Sequence, residues 1–300
     1  MIEIRSLTKC FGEKKALDNI SFKINDASIF GLIGSNGAGK STLLRIMAGV
    51  YKSTGGGVYL GGEEPFENVT VKNNVLYVSD FPYFFAQSTV KSMANFYKSC
   101  YENWSDEKFD YYLSLFPIDR NMKISKMSKG MQRQSALILG LSCSPKYLFF
   151  DEVFDGLDPV MRELLKKILI EFVASENAIV VIASHNLREL EDLCDHVGLI
   201  HEGGILCEND IDDLKLDITK IQVSFKNDGD FEIVKNSLDI IQSSTKGRIV
   251  EFTARGDRDN IIAVVENQSP LFCEVLPLTL EEIFISEMEG AGYDINKIIK

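Results

Sequence analysis

The stretch Ser28–Val50, SIFGLIGSNGAGKSTLLRIMAGV, decides the fold. SIFGLI is an apolar run without polar alternation, as expected of a strand buried on both faces of a parallel sheet. LLRIMAGV reads as a helix, and between them GSNGAGKST, Gly34–Thr42, matches G-x-x-x-x-G-K-[ST] in the strand–loop–helix setting that the pattern requires. Gly37 and Gly39 lack a Cβ, so the backbone N–H groups of Gly34, Ser35, Asn36, Gly37, Ala38 and Gly39 can turn inward on phosphate oxygens. The helix that starts near Gly39 adds its positive dipole end. Lys40 is placed to reach the β and γ phosphates and the hydroxyl of Ser41 to ligate Mg²⁺, with Thr42 completing the set of nucleotide-binding residues. The segment implies a site for a nucleoside triphosphate with Mg²⁺.

Outward from the loop, the next chemical signal is KYLFFDEVFDGLDP, Lys146–Pro159. Four apolar residues precede Asp151 and Glu152, so a strand would deliver the Asp151 carboxylate to its C-terminal edge, beside the phosphate loop, as a Mg²⁺ ligand. Glu152, one residue on, is the candidate to accept a proton from an attacking water. Taken alone the run is weak; following the Lys40 loop it is strong.

Further β-rich runs lie at Ile20–Ile24, Val75–Val78, Ile179–Ala183 and Val197–Ile200. Two amphipathic helical patterns fill the space before Lys146: Val90, Met93, Phe96, Tyr97 and Cys100 share one face, and Phe109, Tyr112, Leu113 and Phe116 another, after a cap at Ser105 or Asp106. The expected core is a P-loop α/β fold: a mainly parallel sheet with an antiparallel β edge and a helical subdomain inserted over about 82–145. Residues 1–215 form this domain. Residues 216–300 change character and read as a smaller α+β, ferredoxin-like module, with strands at Ile218–Phe225, Gly247–Ala254 and Leu271–Leu276 and helices at Phe231–Leu238, Asp257–Gln268 and Thr279–Met288.

The 300 residues are 45% hydrophobic and 25% charged, which excludes a wholly disordered chain. A net charge of −12 makes the protein a poor general nucleic-acid binder, since phosphate neutralisation needs clustered Lys and Arg. No apolar run reaches 18 residues and MIEIRSLTKC has no apolar secretion segment, so a cytosolic location is expected. The six cysteines form no CxxC pair, and neither zinc nor disulfides are expected.

Three further motifs occur in a fixed order: KMSKGMQRQ, then GLDP at Gly156–Pro159, then IASHN. With these the first 215 residues resemble the nucleotide-binding subunits of ABC transporters. The resemblance implies that Ser128, Lys129, Gly130 and Met131 form the signature loop, acting in trans on a partner's ATP, with Asp158 in the D-loop. It implies that His185 is the switch histidine on the γ-phosphate and that Phe11 stacks on adenine. It also implies an ATP-sandwich dimer, with itself or with a related ATPase subunit, on a separate transmembrane permease at the inner face of the membrane. The deviations resemble a branch linked to exporters for peptide or antibiotic defence.

Those deviations are specific. Asp80 stands where the family keeps a Gln that touches Mg²⁺; a carboxylate is a hard oxygen ligand, but it adds charge beside three phosphates. The signature reads SKGM in place of SGGQ, with Lys129 and Met131 altered; Lys129 adds a cation near the partner's ATP that is expected to offset part of the Asp80 charge. The aromatic run Phe81, Tyr83, Phe84, Phe85 suits either a permease surface or packing on the helical subdomain. The alternative functions are a soluble ABC-type ATPase and a nucleotide-gated switch outside transport. Only 88 residues separate Lys40 from Ser128, too few for the long coiled coil of a chromosome clamp.

Overall fold

The computed structural model describes residues 1–211, 218–227 and 229–290, without the side chains of Cys207 and of residues 286–290. Two compact units divide the chain, Met1–Glu208 and Asn209–Lys300. The domain boundary expected at 215 lies outside the described residues.

The first unit opens with a three-stranded antiparallel sheet, β1 (Ile2–Phe11), β2 (Lys14–Ile24) and, later, β4 (Gly55–Leu60), in the order β2-β1-β4. Between them come β3 (Ser28–Ile33) and α1 (Lys40–Met47), then α2 (Val69–Lys72) and β5 (Val75–Val78). The inserted helices are α3 (Val90–Cys100), α4 (Asp106–Leu115) and α5 (Lys129–Leu141). The chain returns through β6 (Tyr147–Asp151), α6 (Pro159–Glu176), β7 (Ile179–Ser184), α7 (Leu187–Glu191), β8 (His196–His201) and β9 (Gly204–Asp210). A six-stranded sheet results, β5-β6-β7-β3-β8-β9, parallel from β5 to β8. β3, β6 and β7 are buried along their full length, which is why they read as continuous apolar runs.

Helix α1 carries the core of this unit. Leu43, Leu44 and Met47 are buried in one cluster with Ile2, Leu17, Val58, Phe149 and Val181, so the helix lies between the two sheets. Its start, Lys40, is thereby fixed at the C-terminal edge of β3. Three further helices are fixed by sequence-encoded caps: Ser105 accepts the Lys108 N–H, Ser128 that of Met131, and Asp158 that of Met161, just before Pro159 at the first helical turn.

The second unit runs β10 (Ile218–Ser224), α8 (Asp230–Ser237), β11 (Asp239–Lys246), β12 (Ile249–Arg255), α9 (Arg258–Glu266), β13 (Phe272–Leu276) and α10 (Leu280–Gly290). Its antiparallel sheet has the order β11-β12-β10-β13, which with the βαββαβ succession is the ferredoxin-like arrangement. A separate core of Ile221, Val223, Val234, Phe252, Ile261 and Val265 holds it together. β11 is a strand that the sequence pattern does not predict. The strand expected from Gly247 begins at Ile249, because Gly247 forms the hairpin turn with φ 65°.

Candidate functional site

Parallel register builds the site. Asp151 pairs with Ala183 and Leu32 with the same residue, while Ile33 pairs with Ser184. The ends of β6, β7 and β3 therefore stand side by side, and Glu152, His185 and the phosphate loop, which leave those three ends, meet at one edge. This is where open α/β sheets bind ligands.

The loop backbone needs its glycines. Gly37 and Gly39 hold φ of 84° and 118°, and a β-carbon on Gly39 would stand 2.7 Å from the Ala16 carbonyl oxygen. A β-carbon on Gly34 would stand 2.3 Å from that of Ile200. Lys40 is buried and donates to the Gly34 carbonyl at 2.6 Å and the Ser35 carbonyl at 3.2 Å, folding its ammonium back across the loop. Burial lowers its pKa, while Glu152 and Asp151 pull the other way.

Ser41 Oγ donates to Asp151 Oδ1 at 3.1 Å. Burial raises the Asp151 pKa, against which the Ser41 bond acts. A buried carboxylate and a hydroxyl at contact distance form a hard-oxygen donor set, so Mg²⁺ fits between them. Two residues not singled out from sequence support this corner: Tyr77 places its hydroxyl 3.5 Å from Asp151 Oδ2, and Arg45 reaches Tyr77 at 3.4 Å.

Glu152 adopts φ 52°, held by its N–H on the Ala183 carbonyl at 2.9 Å, and its Oε2 lies 2.9 Å from His185 Nδ1. That bond raises the His185 pKa above the ordinary imidazole value. Phe11, at the end of β1, is half exposed, set edge-on against Tyr51 at 5.5 Å. A cleft of about 590 Å³ gathers Phe11, the loop residues 35–37 and 39–42, Asp80, Asp151 and Glu152. Gly34 and Ala38 stand behind its lining, and His185 joins it through Glu152.

The signature residues Ser128, Lys129, Gly130 and Met131 do not line their own chain's cleft, nor does Asp158. Gly130 instead packs on the turn after Glu152: a β-carbon there would stand 2.8 Å from the Gly156 carbonyl oxygen. Within the chain the cation paired with Asp80 is Arg133, while Lys129 extends over the Phe81 ring, 5.3 Å from its centroid. Sequence reasoning misses Arg133, although a charge four residues before Leu137 on a helix face ending ALILGL is a readable signal. The aromatic run divides: Phe85 packs on Phe96 of α3 at 4.9 Å, while Phe81 and Tyr83 are exposed.

Strand–loop–helix, buried lysine and acidic strand end together define a P-loop nucleoside triphosphatase. The ABC transporter family model matches residues 17–155. The ABC transporter ATP-binding protein YtrB of Bacillus subtilis is 27% identical over 97% of this chain and 99% of its own length. The bacitracin transport ATP-binding protein BcrA of Bacillus licheniformis is 30% identical over 72% and 71%, and the lantibiotic transport ATP-binding protein SrtF of Streptococcus pyogenes 31% identical over 71% and 92%. Among solved structures, the ATP-binding subunit of an ABC transporter aligns with a TM-score of 0.67 at 22% identity over 72% of this chain and 92% of that one. A dimeric cassette bound to ADP and phosphate aligns at 0.64 and 20%, over 70% and 99%. The chain belongs to the ABC transporter family, as an ATP-hydrolysing cassette.

Proposed function

We propose that this protein powers an exporter in a membrane complex, closing as an ATP-sandwich dimer on a separate permease at the cytoplasmic face. The meeting of three strand ends in one cleft carries this reading, since it sets the phosphate loop, the Asp151 carboxylate and the Glu152–His185 pair around one volume. The loop N–H groups and Lys40 bind and orient the phosphates. Ser41 and Asp151 would hold Mg²⁺, which when bound neutralises phosphate charge. Glu152 takes the proton of the attacking water, and His185 fixes the Glu152 carboxylate beforehand. The signature loop, which does not line its own cleft, serves the partner's nucleotide; Ser128 presents a hydroxyl at a helix N-terminus for it. Phe81 and Tyr83, exposed beside the cleft, suit the permease contact. Relatives named for bacitracin and lantibiotic transport support peptide antibiotics as the exported class.

Glu152→Gln tests the chemistry. Retained ATP binding, a dimer trapped by ATP in light scattering, and a roughly 10²–10⁴-fold drop in hydrolysis are expected. An unchanged hydrolysis rate removes Glu152 as the base.

A further inference from the structure

We propose that Arg133 is a positioning residue that latches the residue-80 loop to the signature helix, and that Asp80 acts through this latch and not as a Mg²⁺ ligand. The function assigned to the latch rests on the ATPase reading above. Arg133 lies in the second turn of α5, five residues past Ser128, with its side chain only 8% exposed. A guanidinium that deep must be paired and hydrogen-bonded, and its planar fork suits two acceptors at once. Its Nε and Nη2 donate to the Asp80 carbonyl at 3.2 Å and 3.0 Å, and Nη2 also donates to Asp80 Oδ1.

The same guanidinium borders the turn after Glu152. A β-carbon on Gly156 would stand 3.6 Å from Arg133 Nη1. Lys129 over Phe81 joins α5 to the loop a second time, one residue along. One buried cation thus fastens the signature helix to the residue-80 loop and lies beside the turn after the acidic strand.

Electrostatics favours this use of Asp80. The cleft already holds Asp151 and Glu152. A third carboxylate facing a triphosphate is repelled unless neutralised, and Arg133 supplies the neutralising charge from within the same chain. A movement of the loop when the phosphates arrive is then carried to Ser128, which serves the partner's site. The coupling runs from one nucleotide to the next through a single ion pair.

Hydrogen exchange on the full, nucleotide-free chain tests the latch without any turnover, comparing wild type with Asp80→Asn, Arg133→Gln and the double variant. Each single variant is expected to raise exchange of residues 79–82 and 129–133 at least fivefold. The double should rise no further than the larger single. In hydrolysis, kcat should fall about tenfold with KM for ATP and the Mg²⁺ half-saturation both within twofold of wild type. Additive exchange, or an Asp80→Asn variant whose Mg²⁺ requirement rises tenfold while Arg133→Gln leaves it unchanged, overturns the proposal. Should Arg133→Gln fail to fold, Asp80→Asn alone decides, since it removes the charge of the latch while leaving the buried cation and its bonds to the residue-80 carbonyl in place. A wild type that does not hydrolyse ATP defeats the ATPase reading, whereas the exchange data still judge the latch.

Discussion

The imidazole of His185 is half exposed, and its bond to Glu152 is the main cause of its raised pKa. The protonated form is the one that pairs with a carboxylate, so the sign is determined. Any stability the pair contributes is fully present below the unfolded imidazole value, near 6.5, and is lost as pH rises through the higher folded value. Nuclear magnetic resonance of the nucleotide-free protein should place the His185 midpoint above 6.5, and Glu152→Gln should bring it down. A midpoint at or below 6.5 that ignores this substitution would show that the two side chains do not meet in solution. At this scale the sequence is legible where chemistry restricts residue type, as at Lys40, Ser41, Asp151 and His185. It is silent where conformation decides: nothing in the letters announces that Glu152, a non-glycine, takes φ 52° to turn its carboxylate toward His185. Nor do they show which cation Asp80 finds, because Arg133 and Lys129 sit one turn apart on the same helix.

Elements are legible in proportion to their burial. β3, β6 and β7 are apolar throughout because both faces are covered. β11 escapes notice because DIIQSSTK is an edge strand exposed over most of its length, with no alternation to read. The helix expected from Thr279 is α10, and the structure gives the reason for its start: Glu282 Oε2 accepts the Thr279 N–H at 3.0 Å while Glu282 Oε1 holds Lys220 of β10 at 2.6 Å. One carboxylate both starts the helix and ties it to the sheet. The start of α5 depends in the same way on a close approach. Because an added methyl at Gly130 meets the Gly156 carbonyl at 2.8 Å, Gly130→Ala must move the helix or the turn. Its expected cost is about 1–3 kcal/mol in denaturant melts, with hydrolysis reduced more than nucleotide binding. Gly55→Ala is the control, since its nearest neighbour, Thr8, would lie at 3.7 Å, an ordinary contact. Equal behaviour of the two variants would mean that the helix and turn have room to give.

Across the whole molecule, charge and core divide differently. Residues 216–300 carry nine basic and fifteen acidic side chains, half of the net −12 in little more than a quarter of the chain. The ATP site nevertheless lies in the other unit, where a buried Lys40 and backbone N–H groups supply local positive potential that net charge never reveals. Each unit also has an apolar core of its own, one around α1 and one around β10 and β12. Two cores predict two cooperative transitions in calorimetry of the full chain. Ligand that binds only the folded first unit stabilises that unit alone, by about 2.7 kcal/mol at a hundred times Kd. For a unit of this size that is a shift of about 5–10 °C. Mg²⁺ with ADP should therefore move one transition upward and leave the other in place, and Lys40→Ala should abolish the movement while keeping both transitions. A single transition that shifts as a whole would mean that the two cores unfold as one, and that nucleotide binding is felt by the acidic module directly.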